Sequence, residues 1–334
     1  MQTPTQDINA IETMLINGLA FKTIIAAAHA KIFDTLEQPK TAAELAEDMG
    51  FKESPAKSML NLLAANGIVE KSDDKFRNSR IASEFLVSSS KLNQLKSLEL
   101  FKRFHEAISE DIIGLLKGEI ETRSIIDKSW GQQDSMDGTA EHAILGAVQD
   151  TVAFITELPE FSSMKQMCDI GGNHGEFSMA LLNANPGLSG EIADFPHVAE
   201  TSNQRIAQRG FSERLKAFGC DLRKDSLGHE KYDLSIASHI LYAFTDNMEQ
   251  ILKSVYDSLK PGGWFVTHHL NESGNFDPRY ITGVQFVTNL SGYKTHTLNA
   301  DRLAAAMKEA GFKTTKSREV GIGRTRLIVA AQKG

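Results

Sequence analysis

Between residues 9 and 36 the apolar positions Ile11, Met14, Leu15, Leu19, Ile24, Ile25, Ile32 and Phe33 recur at helical spacing, up to a break at Pro39. Two helices are predicted there. Thr41-Ala-Ala-Glu44 has the form of a capping box, whose hydroxyl and carboxylate each satisfy a backbone donor of the other residue, ahead of a short helix ending at Gly50. Ser54 with Pro55 at the first helical position opens another helix, with an apolar stripe of Met59, Leu60, Leu62 and Leu63 and a stop at Gly67. Residues 68–71 and 75–78 flank the turn Ser72-Asp73-Asp74 as a two-stranded wing, so residues 1–90 read as a winged helix. Residues 91–160 continue as amphipathic helices, a linker predicted to cover a pocket.

From about Phe161 the period changes. Short β-branched or apolar runs at 166–170, 190–195, 215–218, 232–238 and 264–268 alternate with helical stretches, the signature of a parallel sheet with crossover helices. Residues 313–319 and 325–331 around Gly321-Ile-Gly323 read as a hairpin, which adds an antiparallel strand. The fold class expected is α/β: a sheet-containing domain over residues 161–334 behind the helical N-terminal part.

Charge narrows the function classes. The chain has 36 Lys and Arg against 43 Asp and Glu, a net −7, and residues 41–80 hold seven acidic and six basic side chains. Such a wing would not neutralise a phosphate backbone, so no nucleic-acid partner is expected and the module reads as one for packing or dimerisation. The most apolar stretch, residues 18–33, is interrupted by Lys22, His29 and Lys31, so no membrane partner is expected. Cys168 and Cys220 lack any ligand spacing; they read as core residues of a cytoplasmic protein without a bound metal.

The chemistry concentrates in the sheet region. Asp169-Ile-Gly171-Gly172-Asn173-His174-Gly175 lies directly between a strand and a helix, where glycines allow close backbone approach to a ligand. It is not a dinucleotide fingerprint, because Asn173 occupies a glycine position. Asp194 follows Gly175 by 19 residues at the end of the next strand, where a carboxylate can accept both ribose hydroxyls. Asp221 after the third strand could receive the exocyclic amine of an adenine, and Lys260-Pro-Gly-Gly263 precedes the fifth.

With Asp169-Ile-Gly-Gly, Ala193-Asp194-Phe-Pro196, Gly219-Cys-Asp221-Leu222, His239 to Asp246 and Lys260-Pro-Gly-Gly263 in this order, nearly the whole chain resembles the class I S-adenosylmethionine-dependent O-methyltransferases of plant and bacterial secondary metabolism, the acetylserotonin and caffeate type. The resemblance implies a Rossmann-like seven-stranded sheet, an N-terminal all-helical winged-helix dimerisation domain, a homodimer, and S-adenosyl-L-methionine as cofactor. It assigns Gly171 and Gly172 to the methionine part, Asp194 to the ribose and Asp221 and Leu222 to the adenine, with Ser238 and His239 as further contacts. The implied substrate is a small hydroxylated aromatic or heteroaromatic metabolite of antibiotic or pigment biosynthesis, a phenol or hydroxypyrrole. Phe101, Phe104, Trp130, Phe286 and Asn289 are candidate pocket walls.

One part of the family pattern is missing. Where Leu-His-Asp-Trp would supply the base, this chain has Leu241-Tyr242-Ala243-Phe244, and the two glutamates expected nearby are matched by His268 or His269 and by His296. Either another group is the base, with His296, His268, Tyr242 and His239 as candidates, or the acceptor is acidic enough that alignment suffices and Tyr242 orients it. The second account is preferred on the sequence. Imidazole is the better base, since its ordinary pKa of about 6.5 lies near working pH and that of tyrosine is about 10. The departure also admits an alternative, a non-methylating reaction on the same fold such as decarboxylation, hydroxylation or a pericyclic step.

Overall fold

The capping box forms as the spacing requires: Glu44 N–H donates to Thr41 Oγ1 at 3.2 Å and Thr41 N–H to Glu44 Oε2 at 2.7 Å, while Gly50 ends the helix at φ +67°. The structure, a computed structural model, describes Thr3 and residues 5–334. The chain divides into two units, Met1–Glu99 and Leu100–Gly334.

In the first unit, α1 (Asn9–His29), α2 (Ile32–Thr35), α3 (Ala42–Met49) and α4 (Glu53–Ala65) precede a small antiparallel sheet and α5 (Arg80–Phe85). That sheet has three strands, one more than the wing read from the sequence: β1 (Lys40–Thr41) joins β2 (Val69–Ser72) and β3 (Lys75–Asn78) in the order β1-β3-β2. The unit is therefore not all-helical. Helix α4 starts at Glu53, before the expected Ser54. Phe33, Leu36, Leu45, Leu60, Leu63 and Phe76 are fully buried in its core.

Helix α1 is different. Ile11, Met14, Leu15 and Leu19 stand 55–75% exposed, although Ala20, Ile25, Ala27 and Ala28 are buried. By length and composition α1 is the one helix among the described residues that could cross a membrane. Exposed apolar area on this scale, on one face of one helix, marks a surface to be covered.

The second unit opens with α6 (Leu95–Ser109), which starts in the first, and continues through α7 (Ile112–Lys117), α8 (Arg123–Ser129), α9 (Gln133–Ala143) and α10 (Ala147–Thr156). Then come β4 (Gln166–Ile170), α11 (Glu176–Ala184), β5 (Ser189–Asp194), α12 (Pro196–Gln208), β6 (Leu215–Gly219), β7 (Tyr232–Ser238), α13 (Met248–Ser258), β8 (Leu259–Asn271), α14 (Pro278–Leu290), β9 (Thr297–Leu298), α15 (Ala300–Glu309), β10 (Thr314–Val320) and β11 (Arg326–Gln332). The order β10-β11-β8-β7-β4-β5-β6 gives seven strands, with β4 to β8 parallel and the β10–β11 hairpin antiparallel; the short β9 pairs with β8 as an eighth. Strand order reverses at β4, which has β5 on one side and β7 on the other. Ligands of open α/β sheets bind at the carboxyl edge beside such a reversal.

Two apolar layers enclose the sheet. One packs Phe154, Phe177, Trp264 and Val266 against α10 and α11, and the other packs Phe265, Leu303 and Met307 against α13 and α15. Side chains alternate along β8, so His268 continues the first face and His269 the second. Cys168 and Cys220 are buried and free, and no group of metal-ligating side chains occurs among the described residues.

Candidate active site

At the carboxyl end of β4 the chain turns through Gly171 at φ +65°. A Cβ there would lie 2.1 Å from Ile240 Cδ1, and one on Gly172 would lie 2.5 Å from Asp169 Cγ, so both positions require glycine. Asn173 follows at φ +40° and ties the turn together. Its N–H donates to Asp194 Oδ2 at 3.0 Å, its Nδ2 donates to Trp130 O at 3.1 Å, and its Oδ1 accepts from Thr139 Oγ1 at 3.3 Å. Arg205 adds a second tie, with Asp137 of α9 and Glu176 of α11 each at 2.8 Å.

Asp194 closes β5 at this turn. Its Oδ1 accepts from Phe195 N–H at 2.8 Å, so each oxygen holds one backbone donor and keeps a lone pair for another. Burial pushes its pKa up to about 6 against those two hydrogen bonds. Asp169 is driven to about 7, chiefly by burial, while Ser178 Oγ donates to it at 2.7 Å. A half-buried carboxylate with spare acceptor capacity beside a glycine turn fits the two hydroxyls of a ribose.

Asp221, which the sequence offers as an acceptor for the exocyclic amine of an adenine, is engaged by a neighbouring side chain. Arg223 clasps it through Nε at 2.7 Å and a terminal nitrogen at 2.9 Å, which is the main reason its pKa is held below the usual range. The guanidinium also lies 5.1 Å from the Phe195 ring and 3.3 Å from Asp127. Any amine reaching Asp221 must share it with Arg223. Leu222 is buried beside it.

The end of β7 carries the other half of the site. Ser238 pairs with His268 across the sheet, and Ser238 Oγ lies 3.3 Å from His268 Nδ1. His239 takes φ +51° while its N–H donates to His268 O at 2.8 Å. Its ring lies 4.8 Å from His268, 6.4 Å from His269 and 6.1 Å from His296. His296 in turn stacks on Tyr242 at 4.3 Å and 22°, with Thr288 Oγ1 3.3 Å from its Nδ1. Tyr293 meets Tyr242 edge-on at 5.3 Å, and Arg123 lies 5.0 Å over the Tyr293 ring while donating to Ala243 O at 3.0 Å.

The candidate bases thus part company. His296 and Tyr242 are in contact, whereas His268 lies beneath them on the α11 side, 6.2 Å from Phe177, with its pKa lowered to about 3 mainly by burial. His268 is fully buried. Burial raises Tyr242 above its ordinary value and lowers His296 to about 4.

The expected walls divide as well. Phe104 and Trp130 pack at 5.5 Å, and Phe101 meets His142 edge-on at 5.1 Å. Phe101 is 40% exposed and Phe286 46%. Asn289 is also exposed; its Nδ2 is used by the carbonyls of Tyr293 and Lys294 at the end of α14. His142, Tyr293 and Arg123 were missed as neighbours of the site, and His269 was read only as a match, with His268, to a family glutamate. The doubled histidine at 268–269 was the only sequence signal for any of them.

Six imidazoles in this unit, His142, His174, His239, His268, His269 and His296, are held below the ordinary value, in each case mainly by burial. A histidine whose pKa is depressed on folding contributes stability above its unfolded pKa of about 6.5 that is lost as pH falls toward the folded value. Asp169 and Asp194, raised by burial, act in the opposite sense from about pH 4 to 7 but are fewer. The melting temperature is expected to fall steadily from pH 7 to pH 5, each imidazole adding a slope of up to about 1.4 kcal/mol per pH unit. A flat calorimetric melting profile over that interval would contradict the burial of these rings.

Comparison with known proteins agrees with this geometry. A family model for the O-methyltransferase domain matches residues 131–313, and one for the O-methyltransferase dimerisation domain matches residues 14–88. The 3-hydroxy-5-methyl-1-naphthoate 3-O-methyltransferase of Streptomyces sahachiroi is 26% identical over 77% of this chain and 76% of its own length. The bacteriochlorophyllide d C-20 methyltransferase of Chlorobaculum tepidum is 23% identical over 89% and 91%. Human N-acetylserotonin methyltransferase, solved in complex with S-adenosylmethionine, superposes with a TM-score of 0.74 at 18% identity, covering 100% of both chains. With its sheet, its glycine turn and matches to both domains of the family, the chain belongs to the S-adenosyl-L-methionine-dependent O-methyltransferases.

Proposed function

We propose that the enzyme methylates a hydroxyl of a small planar aromatic or heteroaromatic metabolite, a phenol or hydroxypyrrole, with His296 receiving the hydroxyl proton and Tyr242 orienting the oxygen. The observation that carries this reading is the Tyr242–His296 stack at the carboxyl edge of the sheet. It brings an imidazole against the residue that stands where the family has its histidine, so proton removal has a local acceptor although that histidine is absent. The relative named for a hydroxynaphthoate supports an aromatic acceptor.

S-adenosyl-L-methionine supplies a methyl group activated by its positive sulfur. Gly171 and Gly172 would admit its methionine part, Asp194 would accept from the ribose, Asp221 with Leu222 would border the adenine, and Ser238 and His239 would complete the contact. Residues 91–160 would cover the acceptor, with Phe104 and Trp130 as aromatic wall. With the cofactor held there, the protein would align the acceptor oxygen with the methyl group and His296 would receive the hydroxyl proton, so its contribution is alignment and proton removal.

The working form would be a cytoplasmic homodimer joined through residues 1–90. The exposed stripe of α1 and the dimerisation-domain match support this. Leu15→Glu with Leu19→Glu is expected to convert the dimer to monomer, read as a halved mass by sedimentation; an unchanged mass would remove α1 from the interface.

The function itself is tested with methyl-labelled cofactor and a panel of phenols and hydroxypyrroles. Label is expected in an alkali-stable ether. Label on ring carbon, or turnover of an acceptor with the methyl group retained on the cofactor, would overturn oxygen methylation.

A further inference from the structure

We propose that Arg223 holds the base end of the cofactor site in the free enzyme as a stand-in for the adenine, and that the incoming adenosyl group moves its guanidinium from Asp221 to Asp127. The proposal rests on the placement of the adenine at Asp221 and Leu222 given above, and names the group that the base displaces and the residue that receives it.

Asp221 has little room for another donor. A carboxylate offers about four lone-pair directions, and Arg223 takes three of them: its backbone N–H donates to Oδ1 at 3.1 Å, its Nε to Oδ1 at 2.7 Å and its Nη2 to Oδ2 at 2.9 Å. Lys224 Nζ stands 3.6 Å from Oδ2. An exocyclic amine therefore gains a full bond to this carboxylate only where the guanidinium gives one up.

Stacking leads to the same place. Phe195 directly follows Asp194, the ribose acceptor, and the Arg223 guanidinium lies 5.1 Å from the centre of its ring. A flat base between the two would need about 7 Å, two layers at the ~3.5 Å contact distance of carbon atoms. A purine that starts from a ribose at Asp194 and reaches Asp221 thus replaces the guanidinium against Phe195. The two groups are alike in what the subsite reads, since each is planar and donates N–H bonds in its plane.

A receiving carboxylate is already beside the arginine. Nη1, the nitrogen not used on Asp221, meets Asp127 Oδ2 at 3.3 Å, and Tyr293 OH meets Oδ1 at 3.5 Å. Both distances exceed the usual hydrogen-bond range of about 2.7–3.2 Å, so Asp127 retains capacity for a close bidentate clasp. After the move neither aspartate is left bare, because Asp221 holds the amine and Asp127 the guanidinium. Asp127 belongs to α8, which also carries Arg123 over the Tyr293 ring, so the tighter clasp fastens that helix to the adenine end of the site.

Calorimetric titration of the full-length protein with S-adenosylhomocysteine tests this by the sign of the effect. Removing an ordinary contact weakens binding, whereas removing a competitor strengthens it. Arg223→Ala is expected to bind about three- to tenfold tighter than the parent, the range of a partly exposed bidentate ion pair. Arg223→Lys keeps the charge but cannot span both carboxylate oxygens, and should fall between. Asp127→Asn should bind about three- to tenfold more weakly, and that loss should vanish in the Arg223→Ala background. At saturation, hydrogen exchange in residues 123–129 should slow more in the parent than in Asp127→Asn. Unchanged or weaker binding in the Arg223 variants, an Asp127→Asn loss that persists without Arg223, or equal slowing of exchange, overturns the proposal and leaves methyl transfer standing. Failure of the parent to bind S-adenosylhomocysteine would instead strike at the cofactor placement on which it rests.

Discussion

His296→Ala is expected to lower kcat by about 100-fold or more, the usual worth of a positioned general base, while cofactor affinity stays within twofold of the parent. The side chain lies against Tyr242 and contacts neither the glycine turn nor Asp194, so the loss should fall on proton removal alone. The pH profile supplies a second readout. The base must be neutral to act, and burial places His296 at about 4 in the free protein, so kcat/KM should rise through that region and be flat near neutrality. Tyr242→Phe keeps the ring stack and removes the hydroxyl, and a smaller loss is expected. Undiminished turnover in His296→Ala would return the mechanism to alignment of an already acidic hydroxyl.

Asp194→Ala is the other large effect. The carboxylate accepts from Asn173 and Phe195 at 3.0 and 2.8 Å, and its remaining lone pairs are the best-placed acceptors for a ribose. Removing hydrogen bonds to a charged group costs about 1.5–3 kcal/mol, so S-adenosylhomocysteine should bind about ten- to 150-fold more weakly by calorimetry. Part of that loss comes from releasing Asn173. Asp194→Asn separates the two contributions: one amide oxygen still accepts, and an intermediate affinity is expected. Unchanged affinity in both variants would move the nucleoside away from β5.

Much of the parallel sheet was legible because its strands are buried on both faces and read as nearly continuous apolar runs. Residues 166–170 and 232–238 coincide with β4 and β7, and the other strands shift by a residue or two at the ends. Strand β8 is the exception. It continues back through Lys260-Pro-Gly-Gly263 to Leu259, because Leu259 pairs with Tyr232 across an irregularity in register that no periodicity announces. Three-strandedness of the small N-terminal sheet was hidden for a related reason, since β1 is only two residues long and is defined by its partner Phe76 rather than by its own pattern.

The site was readable where a single loop or strand end carries it, as at Gly171, Gly172 and Asp194. It was less readable where residues distant in sequence converge. The grouping of His239, His269 and His296 depends on β7, β8 and the segment before β9 meeting at one edge, and Arg223 takes Asp221 by a side-chain conformation that spacing does not encode. The exposure of Phe101 and Phe286 was not readable either, because an aromatic residue on an amphipathic helix gives no sign of whether its face is covered.

Asn173 has a bearing on attempts to re-engineer nucleotide preference. Replacing it with glycine would make the turn look more like the dinucleotide type and would relieve its left-handed backbone. The same change would sever its side-chain bonds to Trp130 and Thr139, and with them part of the anchorage of residues 130–139, leaving the Arg205–Asp137 pair. Grafting a foreign glycine loop onto this scaffold therefore has to be accompanied by a new tether for that helical stretch.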